Sequence, residues 1–233
     1  MPNYKCENMK RSNHPLVIII LGPQGSGKGT QAKLLQKKLK LEYVGTGDLI
    51  RERQKVKDFT GRKLLEVSAK RGEIIPTFLI SKLWTDKFEK LKQNPKFNGF
   101  VFDGSPRKLI EVTLVGEALN WYEWQKNVKI VLVNISKKES IWRLTKRRIC
   151  KCCGRVIPYI GEFRKLKKCD KCGGKLITRA DDTVKGVKER LEWFKADVVP
   201  VINYYKKQGR LIEVNGEQSI ENVFKDILKS IGR

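Results

Sequence analysis

Five short apolar runs recur along the chain, and each predicts a buried strand. The first run, Leu16–Leu21, reads LVIIIL with no polar interruption. A continuous β-branched run is typical of a strand covered on both faces, as in a parallel sheet. Similar runs follow at residues 42–44, 99–102, 129–135 and 210–214.

Helices are predicted between these runs, because apolar residues recur there every three or four positions. Thr60 is the expected N-cap of the third helix, Pro76 suits the first turn of the fourth, and Pro200 can kink the seventh. The predicted helices span residues 30–40, 46–57, 60–70, 76–92, 109–124, 137–149, 183–207 and 220–231. Strands that alternate with helices predict an α/β fold with a five-stranded parallel sheet flanked by helices.

A glycine-rich segment between the first strand and the first helix predicts a phosphate-binding loop. The segment, residues 22–30, reads GPQGSGKGT. Its glycines let backbone N–H groups converge on phosphate oxygens, and the helix N-terminus adds partial positive charge. A strict P-loop places Ser or Thr directly after the lysine, whereas here Gly29 comes first. The alternative is a glycine turn that binds nothing. The candidate phosphate-binding residues are Gly25, Ser26, Gly27, Lys28, Gly29 and Thr30.

Four of the six cysteines form two Cys-x-x-Cys pairs, Cys150 with Cys153 and Cys169 with Cys172. This spacing is typical of a four-thiolate zinc site, which leaves no open coordination position and is therefore structural. Cys152 competes with Cys153 for the register, and we favour Cys153 because a glycine follows it. The alternative is that the cysteines hold no metal. Residues 150–178 otherwise show little regular pattern and predict an inserted subdomain.

The charge balance adds a second class of function to consider. The 233 residues include 50 basic and 25 acidic side chains, a net charge of +25. Such a charge attracts polyanions, either nucleotide phosphates or nucleic acid. The basic residues are spread along the whole chain, so at most weak and non-specific binding of nucleic acid is expected. His14 is the only histidine, which argues against chemistry that needs a histidine base.

The sequence also bears on location. No apolar run approaches the length of a membrane span, and the polar residues 1–14 resemble a flexible extension rather than a secretory signal. Paired cysteines with metal-ligand spacing suit a reducing compartment. We therefore expect a cytoplasmic protein with no membrane association.

The P-loop and several later motifs, taken in order, resemble the adenylate kinase family over residues 15–232. The extended loop GPQGSGKGTQA is similar to that family's P-loop, and the segments TGD at 46–48 and DGSPR at 103–107 resemble its monophosphate site. Further similarity lies in an arginine-rich segment before the cysteines, in RADD at 179–182 after them, and in VNG at 214–216. Zinc-lid members of the family carry a cysteine block between the same two arginine motifs.

This resemblance implies reversible phosphoryl transfer from MgATP to AMP, which gives two ADP. It implies a catalytic set of Lys28, Arg107, Arg147, Arg179, Arg190, Asp181 and Asp182. It implies that ATP also contacts Arg143, Arg147, Gly216 and Gln218, and that Asp103 positions Mg²⁺ through water. It implies an AMP site of Thr46, Arg51, Ile75, Gly104, Arg107, Glu111, Arg179 and Arg190. Zn²⁺ is the implied structural ion of the lid.

The implied architecture divides the chain into three parts, and a monomer is expected. A P-loop core comprises residues 15–45, 76–143 and 182–233, a helical monophosphate-binding insertion spans 46–75, and the zinc lid spans 144–181. Such mobile parts suit phosphoryl transfer, which needs positioning, charge neutralisation and exclusion of water.

Two departures from the family pattern concern the monophosphate. Ser105 stands where DGFPR has an aromatic residue, and Glu111 stands where the family commonly has a glutamine that reads adenine. An ionised carboxylate only accepts hydrogen bonds and would suit guanine, although the adenine amino group can also donate to it. Alternatively, Glu111 faces solvent. Kinases of GMP, CMP or UMP, and a basic zinc module that binds nucleic acid, therefore stand as alternatives.

Overall fold

The computed structural model describes residues 14–70, 75–179 and 182–233. The predicted N-terminal extension, residues 71–74 and Asp181 therefore lie outside the described residues, apart from His14 of the extension. The strands are β1 (Leu16–Leu21), β2 (Glu42–Gly45), β3 (Gly99–Asp103), β4 (Val128–Asn134), β5 (Arg148–Cys150), β6 (Val156–Ile157), β7 (Leu176–Ile177) and β8 (Leu211–Asn215). The α-helices are α1 (Lys28–Leu39), α2 (Thr46–Arg53), α3 (Phe59–Lys70), α4 (Thr77–Lys92), α5 (Leu109–Trp121), α6 (Lys137–Lys146), α7 (Val184–Trp193), α8 (Val199–Lys207) and α9 (Ile220–Ser230).

The main sheet is five-stranded and parallel, in the order β2-β3-β1-β4-β8. Strand β1 lies at its centre, where Val17 pairs with Phe100 on one side and Val128 on the other. All six residues of β1 are buried, as its uninterrupted apolar run predicts. The predicted α/β fold with five parallel strands is therefore confirmed.

Helices cover both faces of this sheet, and two apolar clusters fill the space beneath them. Val17, Ile19 and Leu21 of β1 face an aromatic cluster. That cluster includes Trp84, Phe88, Phe100, Phe102 and Trp124, with Phe88 and Phe102 in edge-to-face contact. The alternate residues of β1 pack with side chains from α1 and α9. Successive side chains of β1 thus point alternately into the two apolar clusters, as the geometry of a strand requires.

Some predicted helix boundaries are wrong for identifiable reasons. Thr60 lies inside α3, and Asp58 caps this helix instead, because its carboxylate accepts the Gly61 N–H at 2.8 Å. The predicted helix 183–207 is divided by a π-helical turn at Phe194–Val198, which ends two residues before Pro200. Proline lacks the N–H that would continue the regular ladder, so the irregularity falls in the turn that precedes it.

The inserted cysteine segment contains more regular structure than its sequence pattern predicts. Strands β6, β5 and β7 form a small antiparallel sheet in that order. Strands of two or three residues are too short to show a periodic pattern. Across the described parts of the chain, no helix combines the length and apolarity needed to cross a bilayer.

Candidate active site

The phosphate loop connects the carboxyl end of β1 to the first turn of α1. Gly25 and Gly27 adopt left-handed conformations with φ of 83° and 92°, which a side chain would strain. A Cβ at Gly22 would collide with the backbone carbonyl of Val133. The loop is therefore a tight backbone turn at the N-terminus of a helix, the geometry that favours anion binding.

Lys28 begins α1, and its ammonium group turns back onto the loop. It donates hydrogen bonds to the Gly22 and Pro23 carbonyls at 2.7 and 2.8 Å. The pKa of Lys28 is lowered to about 8, chiefly by burial; Asp103 acts to raise it, and the nearby positive charges of Arg107, Arg147 and Arg190 add to the lowering. Because each of these groups acts on Lys28, the structure brings four cations from distant parts of the sequence into one region.

Asp103 ends β3, the strand next to β1, and its carboxylate lies over the start of α1. A Cβ at Gly29 would be 3.3 Å from Asp103 Oδ2. Glycine in place of the usual Ser or Thr therefore leaves room for this carboxylate. Tyr43 donates its hydroxyl to Asp103 Oδ2 at 3.0 Å. Burial strongly raises the pKa of Tyr43, and the charge of Asp103 adds to this.

Sequence reasoning missed Tyr43, although a signal exists. The run 42–44 is predicted as a strand, and parallel neighbours bring their carboxyl ends to one edge of the sheet. In the structure Gly45 pairs with Asp103, which places Tyr43 two residues before that edge.

The candidate monophosphate site surrounds the DGSPR turn. Gly104 has φ of 94°, and a Cβ there would collide with Thr46 Oγ1. The Thr46 hydroxyl lies 3.4 Å from the Asp103 carbonyl, and Arg107 Nε donates to the Gly104 carbonyl at 2.7 Å. The turn thus holds Thr46 and Arg107 close together.

Two other predicted monophosphate residues have contrasting surroundings. Arg51 is exposed and forms an ion pair with Asp48. Ile75 is buried within the cluster that covers one face of the main sheet.

Glu111 and Ser105, the two departures from the family pattern, are both buried. Glu111 is 2% exposed, so the alternative that it faces solvent is wrong. Its Oε2 accepts the backbone N–H of Arg107 at 2.8 Å. Glu111 therefore fixes the backbone that carries Arg107. Its contact with a base stays a prediction.

The arginines that flank the cysteine segment meet at one buried carboxylate. Arg147 forms a bidentate pair with Asp182 through bonds of 2.8 and 2.7 Å, and Arg190 donates to the same carboxylate at 3.2 Å. The Asp182 side chain is fully buried. Burial lowers the pKa of Arg147, as do the charges of Arg179 and Arg190, while Asp182 raises it. Arg179 therefore lies within electrostatic reach of this cluster.

The predicted contacts to the ATP base come from α6 and the loop after β8. Arg143 Nη2 donates to the Gly216 carbonyl at 2.9 Å, and Arg143 Nε donates to Glu139 at 2.6 Å. Glu139, which sequence reasoning missed, lies one helical turn before Arg143 and orients it. Gln218 donates to the carboxylate of Asp226 at 2.8 Å.

The four predicted zinc ligands form one cluster. The sulfur atoms of Cys150, Cys153, Cys169 and Cys172 all lie within 4.8 Å of one another. Cys150 and Cys172 are 3.4 Å apart, and Cys153 and Cys169 are 3.7 Å apart. Cys152 is outside this set. Such a compact group of thiols can hold a metal ion.

A parallel α/β sheet, a glycine loop at a helix N-terminus and convergent basic side chains define a P-loop nucleotide-binding protein. The family model described as Adenylate kinase matches residues 20–210. A curated adenylate kinase of Desulforudis audaxviator is 36% identical, covering 93% of this chain and 99% of its own. One from Archaeoglobus fulgidus is 38% identical, covering 90% and 95%. One from Clostridium botulinum strain Langeland is 38% identical, covering 93% and 98%. The chain therefore belongs to the adenylate kinase family, as the sequence motifs indicate.

Proposed function

We propose that this chain transfers the γ-phosphoryl group of MgATP to AMP and catalyses the reverse reaction from two ADP. The observation that carries this proposal is that Arg107, Arg147 and Arg190 gather around Lys28, the lysine of the P-loop. Phosphoryl transfer depends on in-line positioning and on neutralising the charge of the transferring group. A centre where four cations converge beside a P-loop suits that requirement.

Each group in this centre has a separate task. Lys28 leaves the loop carbonyls and binds the phosphoryl group being transferred. The backbone N–H groups of Gly25, Gly27 and Gly29 bind the other phosphates of ATP. Arg107, supported by Arg51, binds the phosphate of AMP through its planar fork. Asp103 would hold the water ligands of the Mg²⁺ bound with ATP, and that ion would supply positive charge that offsets phosphate charge.

Arg147 and Arg179 of the lid, together with Arg190 of α7, complete the charge neutralisation, and the closed lid excludes water. Arg147, Arg179 and Arg190 contact the transferring group when the lid closes. Asp182 holds Arg147 and Arg190 in position beforehand, which limits the entropy lost on closure. Exclusion of water from the closed site prevents hydrolysis of ATP. Arg143 packs on the ATP base beside Gly216.

The cysteine cluster fits a structural zinc ion. Zinc bonds to thiolates at about 2.3 Å in a tetrahedron, which sets sulfur separations of about 3.8 Å. The separations of 3.4 and 3.7 Å in two of the pairs are close to that value. With Cys153 as the ligand rather than Cys152, the ion would join the ends of a lid that has little apolar core.

The three-part division predicted from the sequence belongs to this proposal. Residues 46–75 form the monophosphate-binding part, 144–181 form the lid, and the remaining described residues form the core. We propose a monomer, because one chain supplies every candidate group of the centre. A cytoplasmic location suits the reduced thiolates of the proposed zinc site.

A coupled assay for ADP tests the proposed function. ATP, AMP and Mg²⁺ together should give ADP, and Lys28→Met should lower kcat by on the order of 1,000-fold, since it removes a charge from the transferring group. Lys38→Met, which changes an exposed residue of the same helix, is the matched control and should leave kcat unchanged. Failure to form ADP with AMP, GMP, CMP or UMP would refute the proposal.

Glu111 is the reason to include other monophosphates in that panel. Its carboxylate is buried next to Arg107 and only accepts hydrogen bonds when ionised. AMP should have the highest kcat/KM, and Glu111→Gln should widen its advantage over GMP. A preference for GMP in the unaltered protein would favour the alternative that the chain is a GMP kinase. Membership of the adenylate kinase family does not favour nucleic-acid binding as the main function.

A further inference from the structure

The lid carries a concentrated positive charge, of which the phosphoryl-transfer site uses only Arg179. Residues 150–179 include nine basic and two acidic side chains. Both acidic residues are already paired: Asp170 with Arg155 at 2.8 Å, and Glu162 with Lys165 at 3.1 Å. Within this segment no other carboxylate is available to the remaining lysines.

Five lysines of the lid are exposed and form no ion pair with any residue in the described ranges. We call this set the lid lysine surface, and it consists of Lys151, Lys167, Lys168, Lys171 and Lys175.

Backbone pairing forces several of these charges together. Lys168 and Lys175 face each other across an antiparallel bridge. Lys151 donates its backbone N–H to the Lys175 carbonyl at 2.9 Å. Like charges directly opposite one another destabilise a strand pair. The fold thus holds lysines at adjacent positions at an electrostatic cost, and a bound polyanion would relieve it.

A zinc ion would offset only part of this charge. Zinc with four thiolates carries about two negative charges, and lysines next to the cysteines can neutralise them. The segment would still remain strongly positive, because its basic residues outnumber its acidic ones by nine to two.

We propose that the lid lysine surface binds the phosphate backbone of nucleic acid, without sequence preference, in addition to the kinase activity. Lysine ammonium groups on flexible stems act as point charges rather than as a fixed fork for one small phosphate. They gain affinity from a polymer whose charges repeat, because binding releases the polymer's condensed counterions.

A lipid surface suits this part of the molecule less well. Proteins that lie on membranes combine basic residues with apolar anchors. Among the described lid residues, only Val156 is an exposed large apolar side chain. A charged surface without apolar anchors suits a hydrated polyanion, and nucleic acid is such a polyanion.

The test measures binding of fluorescently labelled single-stranded oligouridine by anisotropy, with the full chain, from about 50 to about 200 mM salt. Lys168→Gln, Lys171→Gln and Lys175→Gln are combined in one lid variant. The matched control combines Lys206→Gln, Lys207→Gln and Lys229→Gln, which change exposed residues of α8 and α9 and remove the same charge.

The lid variant should bind on the order of 100-fold more weakly at about 50 mM salt, with a salt slope shallower by about 2, because each phosphate contact to single strands contributes about 0.7. The control variant should change affinity only slightly. Equal losses in both variants would overturn the proposal, since net charge alone would then explain binding. No binding by the unaltered chain would also overturn it.

Three further measurements test whether binding depends on positive charge at these positions and whether nucleic acid is preferred over other anions. Lys168→Arg, Lys171→Arg and Lys175→Arg combined should preserve binding, and a loss equal to that of the glutamine variant would overturn the proposal. Phosphatidylserine vesicles should not compete with the oligonucleotide, and preferential vesicle binding would refute nucleic acid as the occupant. KM for ATP should stay unchanged in the lid variant. A raised KM without oligonucleotide binding would assign these lysines to nucleotide capture.

Discussion

Replacement of Asp182 with alanine would leave Arg147 and Arg190 without the carboxylate that now lies between them. The change removes three charge-assisted hydrogen bonds, of 2.7, 2.8 and 3.2 Å. Removal of one partner of a buried ion pair costs about 3 to 5 kcal/mol, because a charge is left buried without compensation. The arginine side chains keep exposures of 17% and 12% and can partly rehydrate. We therefore expect a loss of about 3 kcal/mol in the free energy of unfolding.

Urea unfolding measures this loss, and the ADP assay measures its effect on catalysis. Disordered arginines should lower kcat on the order of 100-fold, since misplaced catalytic groups lose the benefit of positioning. Glu192→Ala is the control, because it removes an exposed pair with Lys137 between α6 and α7 and should change neither quantity measurably. If Asp182→Ala matched the control in both assays, the inferred role of the buried carboxylate would be refuted.

Other expectations follow from single groups. The pKa of about 8 for Lys28 lies below its value in the unfolded chain. Because bound phosphates favour the charged ammonium, ATP binding should take up protons above pH 8. Because the unfolded chain binds the proton more tightly, the free energy of unfolding should rise from about pH 8 to about pH 10 relative to Lys28→Met. Calorimetry in two buffers should detect this proton uptake, and an equal uptake by Lys28→Met would contradict the assignment. Cys169→Ser should lose zinc by elemental analysis while Cys152→Ser retains it, and the opposite result would reverse the proposed register. Gly104→Ala should cost about 1 to 3 kcal/mol from its left-handed backbone and the collision with Thr46, and should raise KM for AMP more than for ATP. Equal changes in both KM values would argue against its place in the AMP site.

The sheet could be predicted because burial on both faces leaves a direct mark on sequence. The run Leu16–Leu21 has no polar residue, and every member is buried. The same logic failed where short-range chemistry decides the structure. Thr60 and Asp58 are both plausible caps, and only the backbone path shows that Asp58 reaches the Gly61 N–H. Pro200 indicates an irregularity in the long helix, but the π-helical form of the turn before it has no mark in the sequence.

The candidate site was predictable as motifs but not as contacts. The spacing of the cysteines identifies the cluster because four ligands must reach one small ion. By contrast, Glu111 bonds to the backbone of Arg107, and Tyr43 reaches Asp103 from a different strand. Such contacts depend on strand order and turn geometry, which sequence spacing does not encode.

Binding of a bisubstrate analogue, in which one phosphate chain joins two adenosines, tests most directly whether Lys28 and Arg107 serve a single centre. Calorimetry should find one analogue bound per chain. Lys28→Met and Arg107→Met should each weaken its affinity by at least about tenfold, since each removes a charged hydrogen bond to the same ligand. Two molecules bound per chain, or an affinity that either substitution left unchanged, would contradict the shared centre.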